Sequence, residues 1–213
     1  MKNAYVYVLD TMADWELGYV TAELNSGQYF KNRGSSIPVK TVGSSKSPIV
    51  TKGGLTIVPD VTIEDVVDDE VAILLLPGAD TWKNPEHAPI IARAKQLLDS
   101  GGNVAAICGA TLALADAGLL NDRQHTSNSL DYLTLFSPTY EGKALYRDEK
   151  IVKDRNLITT SAAGGLELAR EVILHLDLFA QNTLEAWYNY FQTGEPRYFY
   201  AMLETLHDST TVS

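Results

Sequence analysis

The chain of 213 residues has few of the residues that define several common protein classes. Its single cysteine, Cys108, cannot form an internal disulfide, and four scattered histidines give no zinc-spaced cluster with it. Positive charge is also scarce, because 17 Lys and Arg stand against 27 Asp and Glu, a formal charge of −10. A phosphate backbone or an anionic membrane would repel such a chain. We therefore expect no metal, no cofactor, no nucleic-acid or membrane partner, and a reducing cytoplasmic location.

Long apolar runs are absent as well. The first run, residues 4–9, covers six residues before Asp10 and is not followed by a small-residue cleavage site, so it does not resemble a secretory signal. No stretch approaches the roughly 18 apolar residues of a membrane span. Glycine and proline, at 15 and 8 residues, are near average, and 45% of the residues are hydrophobic. The sequence predicts a soluble protein with one large domain, or one domain and an appended element.

Short apolar stretches alternate with helical patterns along most of the chain. Residues 4–9 and 71–76 are continuously apolar, which is typical of strands that helices cover on both faces. Residues 49–58 are expected to form a short hairpin at an edge. The other predicted strands span residues 37–42, 103–107 and 156–160. Repeated strand-helix units predict an α/β fold, with a flavodoxin-like, doubly wound, mostly parallel sheet flanked by helices.

The C-terminal part of the chain has a different composition. A helix-stop and turn signal at residues 193–196 divides it, which predicts two helices. We assign residues 1–181 to the main domain and residues 182–213 to a helical extension packed on the same domain. The extension could form a lid, a dimer surface or plain packing on the body, and packing is favoured. Its aromatic residues are Trp187, Tyr188, Tyr190, Phe191, Tyr198, Phe199 and Tyr200.

Cys108 lies where a predicted buried strand passes directly into a helix. In open α/β sheets, ligands bind beyond the carboxyl ends of the strands, and this cysteine is at such an end. Ala106 and Ala110, two residues before and after it, are small, as a sharp strand-to-helix elbow requires. The first amides of the helix are expected to favour the thiolate. The alternative is an inert cysteine of the core.

A reactive sulfur also needs donors for a developing oxyanion. The amide of Gly109 is one candidate, and a second would come from the Pro77-Gly78-Ala79 turn after the preceding apolar strand. Gly78 permits a close approach of the backbone. Taken alone, this turn is also compatible with an ordinary loop start.

Four blocks of sequence point to one known family. They cover residues 74–78, 105–110, 114–120 and 157–164, and in this order and spacing they resemble the DJ-1/PfpI superfamily, the class I glutamine amidotransferase-like fold. The resemblance extends over about residues 3–180. It implies a flavodoxin-like domain, a homodimer, and an elbow cysteine hydrogen-bonded to a glutamate from the loop after the first strand.

Glu16 stands where the resemblance implies that glutamate. A carboxylate would repel a neighbouring thiolate, so the resemblance implies a Glu16 that is protonated in the reactive state, with a raised pKa. Without the resemblance, the favoured interpretation of Glu16 is an acidic first-turn residue that complements the helix dipole.

The chain departs from the family pattern at three positions. Proteolytic members carry a histidine directly after the cysteine, where this chain has Gly109, and Ala79 replaces the second glycine of the proline turn. Other members place a histidine about 20 residues downstream, where this chain has Asn128. Asn128 cannot act as a base, but it can donate and accept hydrogen bonds and so orient a substrate or water.

No histidine is assigned to the site. His125 lies an odd number of residues from Asn128, so in an extended segment the two side chains point to opposite faces, and we expect a surface or structural role for it. We expect His87 to be solvated in a loop and His175 to be a residue of the late helix.

Three hypotheses of function follow. The first is a cysteine-dependent hydrolase or lyase in which Cys108 attacks a small amide, aldehyde or dicarbonyl substrate, with Glu16 handling the proton. General peptidase activity is disfavoured because the expulsion of an amine needs a positioned acid. The second is a non-catalytic redox or stress-response protein with an oxidisable Cys108. The third is a partner-binding module that uses the aromatic tail.

Overall fold

The computed structural model describes residues 2–208 of the chain, with side chains through residue 206. The secondary-structure elements follow in chain order: β1 Asn3–Tyr7, α1 Gly18–Ser26, β2 Val39–Gly43, β3 Ile49–Val50, β4 Thr56–Ile57, β5 Val61–Thr62, β6 Val71–Leu76, α2 Ala88–Asp99, β7 Val104–Ile107, α3 Gly109–Asp116, α4 Leu130–Phe136, β8 Ile151–Asp154, β9 Leu157–Thr160, α5 Gly165–His175, α6 Gln181–Thr193 and α7 Pro196–Asp208.

The larger sheet has seven strands in the order β5-β2-β1-β6-β7-β9-β8. All neighbouring strands are parallel except β8, which pairs antiparallel with β9 at one edge. Strands β1 and β6 are buried along their whole length, as expected for continuously apolar strands with helices on both faces. The predicted flavodoxin-like, doubly wound, mostly parallel sheet with flanking helices is confirmed.

The strand order reverses between β1 and β6, which makes this the topological switch point of the sheet. The loops after these two strands are tied together by hydrogen bonds. The amide of Ala13 donates to the carbonyl of Gly78 at 2.9 Å, and the amide of Asp80 donates to Oγ1 of Thr11 at 2.9 Å. A crevice for a ligand is therefore expected at the carboxyl ends of β1, β6 and the neighbouring β7.

Strands β3 and β4 form the predicted hairpin, a separate two-stranded sheet. The hairpin packs on the loop after β1, because Thr11 donates its amide to the carbonyl of Val50, and Lys52 donates its amide to that of Met12. The sequence pattern does not predict β5 or β8. Strand β5 has two residues, and β8 is a polar edge strand with exposed Lys153 in its middle.

The two helices α6 and α7 follow the body of the chain and are separated at Gly194, which has a left-handed φ of 70°. Trp187 of α6 is fully buried and lies edge-on to Phe179 and Tyr19, with ring centroids 6.2 and 6.3 Å away. Tyr200 of α7, in contrast, is 63% exposed. Trp187 thus packs as the packing hypothesis expects. The division at residues 181 and 182 stays a prediction, and residues 209–213 of the extension lie outside the described residues.

Among the helices of residues 2–208, none combines the length and the apolar character that crossing a bilayer requires.

Candidate active site

Cys108 is the residue between β7 and α3, and its backbone is strained. Its φ of 55° and ψ of −119° lie outside the regions that residues with a Cβ ordinarily adopt, and such conformations persist only where the surroundings enforce them. Two hydrogen bonds enforce this one. The amide of Cys108 donates to the carbonyl of Thr160 at 3.0 Å, and Oγ1 of Thr111 donates to the carbonyl of Cys108 at 2.6 Å. The strained elbow leaves the sulfur half-buried at the carboxyl end of the sheet.

The residue after the cysteine must be glycine for lack of space. A Cβ on Gly109 would lie 2.7 Å from the carbonyl oxygen and 3.2 Å from the amide nitrogen of Ala79. The turn after β6 is thus in close contact with the elbow at Cys108 and Gly109. A histidine at this position would not fit this arrangement.

Glu16 is fully buried beside the elbow. Its Oε2 accepts a hydrogen bond from the amide of Gly78 at 2.5 Å. Its Oε1 has no partner with good hydrogen-bond geometry within the described residues, although the carboxyl interacts with the side chain of Cys108. A Cβ on Gly78 would lie 2.6 Å from Oε1 of Glu16 and 2.7 Å from Cβ of Cys108, so both side chains converge on this glycine. The first-turn hypothesis for Glu16 is wrong, because α1 begins two residues later and the carboxyl points into the site.

Burial raises the pKa of the Glu16 carboxyl to about 6. The hydrogen bond from Gly78, the contact with the Cys108 side chain and the charge of Lys52 act in the opposite direction and are weaker. The pKa of Glu16 is raised as expected, and the cause is desolvation of the charged form. The expected protonated Glu16 is not the main form near neutral pH, because a carboxyl with a pKa of about 6 is mostly ionised there. A carboxyl with such a pKa can both accept and release a proton near neutral pH.

Burial also raises the pKa of the Cys108 thiol. Hydrogen bonds from Asn128 and from the amide of Gly109 lower it, whereas the negative charge of Glu16 raises it further. The amide of Gly109 at the start of α3 does favour the thiolate, as expected, but desolvation of the sulfur outweighs it, so the pKa of the thiol is raised overall. Near neutral pH the proton accordingly rests on the sulfur, next to a carboxylate that can take it.

Asn128 contacts the sulfur directly. Its Nδ2 donates to Sγ of Cys108 at 3.4 Å, and its Oδ1 accepts from the amide of Ala162 at 2.9 Å. The second hydrogen bond fixes the orientation of the amide, so that a donor faces the thiol. Within the described residues its partners are the sulfur and the amide of Ala162, and an orienting role toward substrate or water stays a prediction.

One backbone amide near the sulfur donates to Glu16, and two others are candidate donors to an oxyanion. The amide of Gly78 is taken by Glu16, whereas the amide of Ala79 has no hydrogen-bond acceptor in the described part of the chain. The amide of Gly109 faces the sulfur at the start of α3. The candidate amides for a developing oxyanion are therefore that of Ala79, which has no acceptor among the described residues, and that of Gly109, which interacts with the sulfur in the resting state.

The histidines lie away from the sulfur. His125 is buried, as a structural role requires, with Nδ1 bonded to the carbonyl of Arg123 and Nε2 to the hydroxyl of Tyr140, both at 2.7 Å. His175 lies in α5, as expected, and bonds to Asn103 at 2.8 Å.

The expectation of a solvated His87 is wrong. Its ring is buried and shares a hydrogen bond with the Tyr7 hydroxyl at 2.8 Å, and its Nε2 lies 3.3 Å from Oγ1 of Thr81. A 3-10 turn at Pro85–His87 carries the ring inward under Trp82. Burial lowers the pKa of His87, so the imidazole is neutral at physiological pH.

Sequence reasoning missed two features around the sulfur. Lys52, from the β3-β4 turn, forms an ion pair with Asp80 at 3.0 Å, and its charge acts on Glu16. Tyr132 of α4 lines a cavity that also contains Ala79 and Gly109. No sequence pattern around either residue predicts its place in the site, because each residue reaches the site through the folding of a separate segment. In residues 2–208, no group of three His, Cys, Asp or Glu side chains could hold a metal ion.

Comparisons with known proteins agree with this architecture. Residues 2–175 match the model of the DJ-1/PfpI family. The chain is 45% identical to the uncharacterized protease YoaZ of Bacillus subtilis, over 97% of this chain and 98% of that protein. It is 28% identical to the glutathione-independent glyoxalase DJR-1.2 of Caenorhabditis elegans, over 66% of this chain and 74% of that protein. The solved thiJ/pfpI family protein from Bacillus anthracis superimposes with a TM-score of 0.92 at 44% identity, covering 95% of this chain and 96% of that chain.

Proposed function

The chain belongs to the DJ-1/PfpI family, and from that premise we propose that it is a cysteine-dependent enzyme that acts on a small carbonyl compound, best matched by a 2-oxoaldehyde. One observation carries the proposal. A half-buried thiol, a buried carboxyl and two backbone amides converge around Gly78 and Gly109. These are a nucleophile, a proton carrier and an oxyanion site.

The first step is an addition to the aldehyde. Oε1 of Glu16 takes the thiol proton while Sγ of Cys108 forms a bond to the aldehyde carbon. The electron pair of the carbonyl moves to its oxygen, which the amides of Ala79 and Gly109 stabilise. Glu16 then returns the proton to that oxygen, and a hemithioacetal results. The pKa of about 6 suits Glu16 to both proton transfers.

The second step is an internal oxidation and reduction. Glu16 removes the hydrogen on the former aldehyde carbon as a proton, and the electron pair passes to the adjacent ketone, which gives an enediolate. That proton, returned by Glu16, adds to the neighbouring carbon, and the proton of the hemithioacetal hydroxyl passes to the neighbouring oxygen. The carbon bonded to sulfur is oxidised to a thioester, and its neighbour is reduced to an alcohol. Water then cleaves the C–S bond and restores the thiol. The balance is the substrate plus one water, giving a 2-hydroxy acid with no external oxidant.

General peptidase activity is not part of the proposal, although one relative is named a protease. Expulsion of an amine needs a positioned acid, commonly an imidazole. In the described part of the chain, the side chain of Cys108 interacts with Asn128, Glu16 and the amide of Gly109, and with no histidine. Carbonyl chemistry has no amine to expel and fits this set of groups better.

The redox alternative shares the same sulfur. The raised pKa of the Cys108 thiol keeps the thiolate fraction low near neutral pH, which favours slow oxidation by peroxide. A homodimer, a cytoplasmic location and the partner-binding hypothesis remain predictions.

The deciding experiment supplies 2-oxopropanal, ethanedial and a neutral dipeptide amide, and follows hydroxy-acid formation by NMR. We expect many turnovers on the dicarbonyls, a loss of at least roughly 100-fold in Cys108→Ser and Glu16→Gln, and normal activity in Glu149→Gln, an exposed control. Full activity of Cys108→Ser would overturn the proposal. Stoichiometric modification of Cys108 without turnover would favour the redox alternative instead.

A further inference from the structure

A small apolar pocket opens beside the proposed oxyanion site. It has a volume of about 240 Å³ and includes Ala79 and Gly109, the two residues whose amides are the candidate oxyanion donors. A carbonyl oxygen held by those amides would place the rest of the substrate at the mouth of this pocket. The pocket is not used by the mechanism above, which concerns the reacting carbons alone.

Apart from Asp80 and Lys83, the side chains that line the pocket are apolar or aromatic. Leu112 of α3 and Trp82 are almost fully buried, and the rings of Tyr132 and Phe136 from α4 lie 5.4 Å apart. Such walls bind an apolar group by removing it from water. A water molecule occupies about 30 Å³ in the liquid, so a pocket of about 240 Å³ has room for about eight atoms of that size. A phenyl ring or a short alkyl chain fits within this number, whereas two fused rings with their linker exceed it.

The charges near the pocket disfavour an anionic substituent. Burial raises the pKa of the Tyr132 hydroxyl, and negative charge at Cys108, Asp116, Asp80 and Glu16 raises it further. The one cation that lines the pocket, Lys83, directs its Nζ to the carbonyl of Phe136 at 2.9 Å. A neutral substituent therefore fits this pocket better than a carboxylate.

Trp82 lines both this pocket and a second cavity. The second cavity, of about 660 Å³, lies between α2 and α3 and shares Trp82 and Lys83 with the first. The indole is held in place, because its Nε1 donates to the carbonyl of Pro77 at 2.8 Å and its ring lies 5.6 Å from that of Tyr7. Removal of the indole would join the two cavities.

We propose that this pocket, which Trp82 lines, binds a neutral aryl or short alkyl substituent of the carbonyl substrate and that Trp82 limits the size of that substituent. The inference rests on the proposed function for the identity of the reacting group. The preferred substrates of the protein are therefore aryl or alkyl 2-oxoaldehydes rather than ethanedial or an oxoacid.

The test uses alkylation of Cys108, which needs no turnover. Second-order rates are measured by mass spectrometry for 2-bromoacetophenone and bromoacetone, and each is divided by the rate with free cysteine. We expect the phenyl reagent to be favoured roughly tenfold on this scale in the wild type, because the pocket buries its ring. Leu112→Trp, which fills the pocket, removes this preference. Leu135→Trp, at a position that is 73% exposed on α4, retains it.

The size limit has its own test. A naphthyl bromoketone is expected to react poorly with the wild type and at least roughly tenfold faster with Trp82→Ala, whose indole no longer separates the cavities. Because Trp82 belongs to the core, Trp82→Leu is measured in parallel, and circular dichroism confirms the folding of each variant used.

The outcomes separate the two proposals. The pocket inference would be overturned if the wild type had the same selectivity between the two reagents as free cysteine. It would also be overturned if the Leu112→Trp variant kept the phenyl preference. Either result would count even if dicarbonyls are turned over. A clear phenyl preference without turnover of any dicarbonyl would support the pocket and overturn the proposed enzymatic function alone.

Discussion

The side chain of Asn128 donates from Nδ2 to Sγ of Cys108 at 3.4 Å, while its Oδ1 accepts from the amide of Ala162 at 2.9 Å. Because Ala162 holds the oxygen, the nitrogen must face the sulfur. An amide nitrogen can stabilise a thiolate, but it cannot take a proton from a thiol. The acid-base chemistry of the proposed reaction therefore falls on Glu16, the carboxyl on the other side of the sulfur.

Asn128→Ala is expected to raise the pKa of the Cys108 thiol further, because it removes a hydrogen bond to the charged form. The measurement is the pH dependence of alkylation by iodoacetamide. Asn32→Ala, an exposed asparagine elsewhere, is the matched control and should titrate like the wild type. An unchanged thiol pKa in Asn128→Ala would show that this contact does not stabilise the thiolate.

Glu16→Gln is expected to change how stability depends on pH. The pKa of Glu16 is about 6 in the folded chain, above that of an unfolded glutamate at about 4.3, so its protonated form favours folding below about pH 4. That contribution is lost as the pH rises through about 6. Relative to the wild type, Glu16→Gln should therefore gain about 2 kcal/mol of unfolding free energy between pH 4 and pH 8.

Urea unfolding at a series of pH values measures this gain, with the exposed Glu149→Gln as the control. A constant difference between Glu16→Gln and the wild type across the series would contradict the raised pKa of Glu16.

Gly78→Ala is expected to disrupt the site, because the new Cβ would lie 2.6 Å from Oε1 of Glu16 and 2.7 Å from Cβ of Cys108. Neither neighbour can retreat, since both are held in the interior. We expect a loss of roughly 1–3 kcal/mol of stability from overpacking, together with slower alkylation of Cys108. Gly18→Ala is the matched control, because nothing lies within 4 Å of its added Cβ. Equal stability of the two variants would contradict the close packing around Gly78.

Trp187→Phe is expected to destabilise the chain by leaving a buried carboxyl without its donor. Nε1 of Trp187 donates to Oε1 of Glu23 at 2.8 Å, and Oε2 of Glu23 has no partner within residues 2–208. The cost should be about 1–3 kcal/mol in the unfolding free energy. In a Glu23→Leu background, Trp187→Phe should cost less, because no buried carboxyl then loses its partner.

The double-mutant cycle is measured by urea unfolding, with Tyr200→Phe as an exposed control. Additive effects of the Trp187 and Glu23 changes would indicate that the hydrogen bond does not hold α6 to α1.

The sequence by itself determined the architecture and the position of Cys108. Residues 71–76 are apolar at every position. All of these side chains are removed from water only where both faces of the strand are covered. The strand-Cys108-Gly109-helix pattern likewise locates the sulfur at the carboxyl end of the sheet, because small flanking residues and a glycine are what a tight elbow requires. Both inferences depend on residues that are near in the chain.

Only the tertiary structure decided the protonation states and the surroundings of the sulfur. The sign of the pKa shift of Cys108 depends on how deeply packing desolvates the thiol, and the sequence showed only the helix amides that act against it. His87 appeared to lie in a polar loop, yet a short turn places its ring against Tyr7. Asn128, Tyr132 and Lys52 reach the site from three separate segments. Burial and long-range approach are properties of the whole packed chain, and no local pattern encodes them.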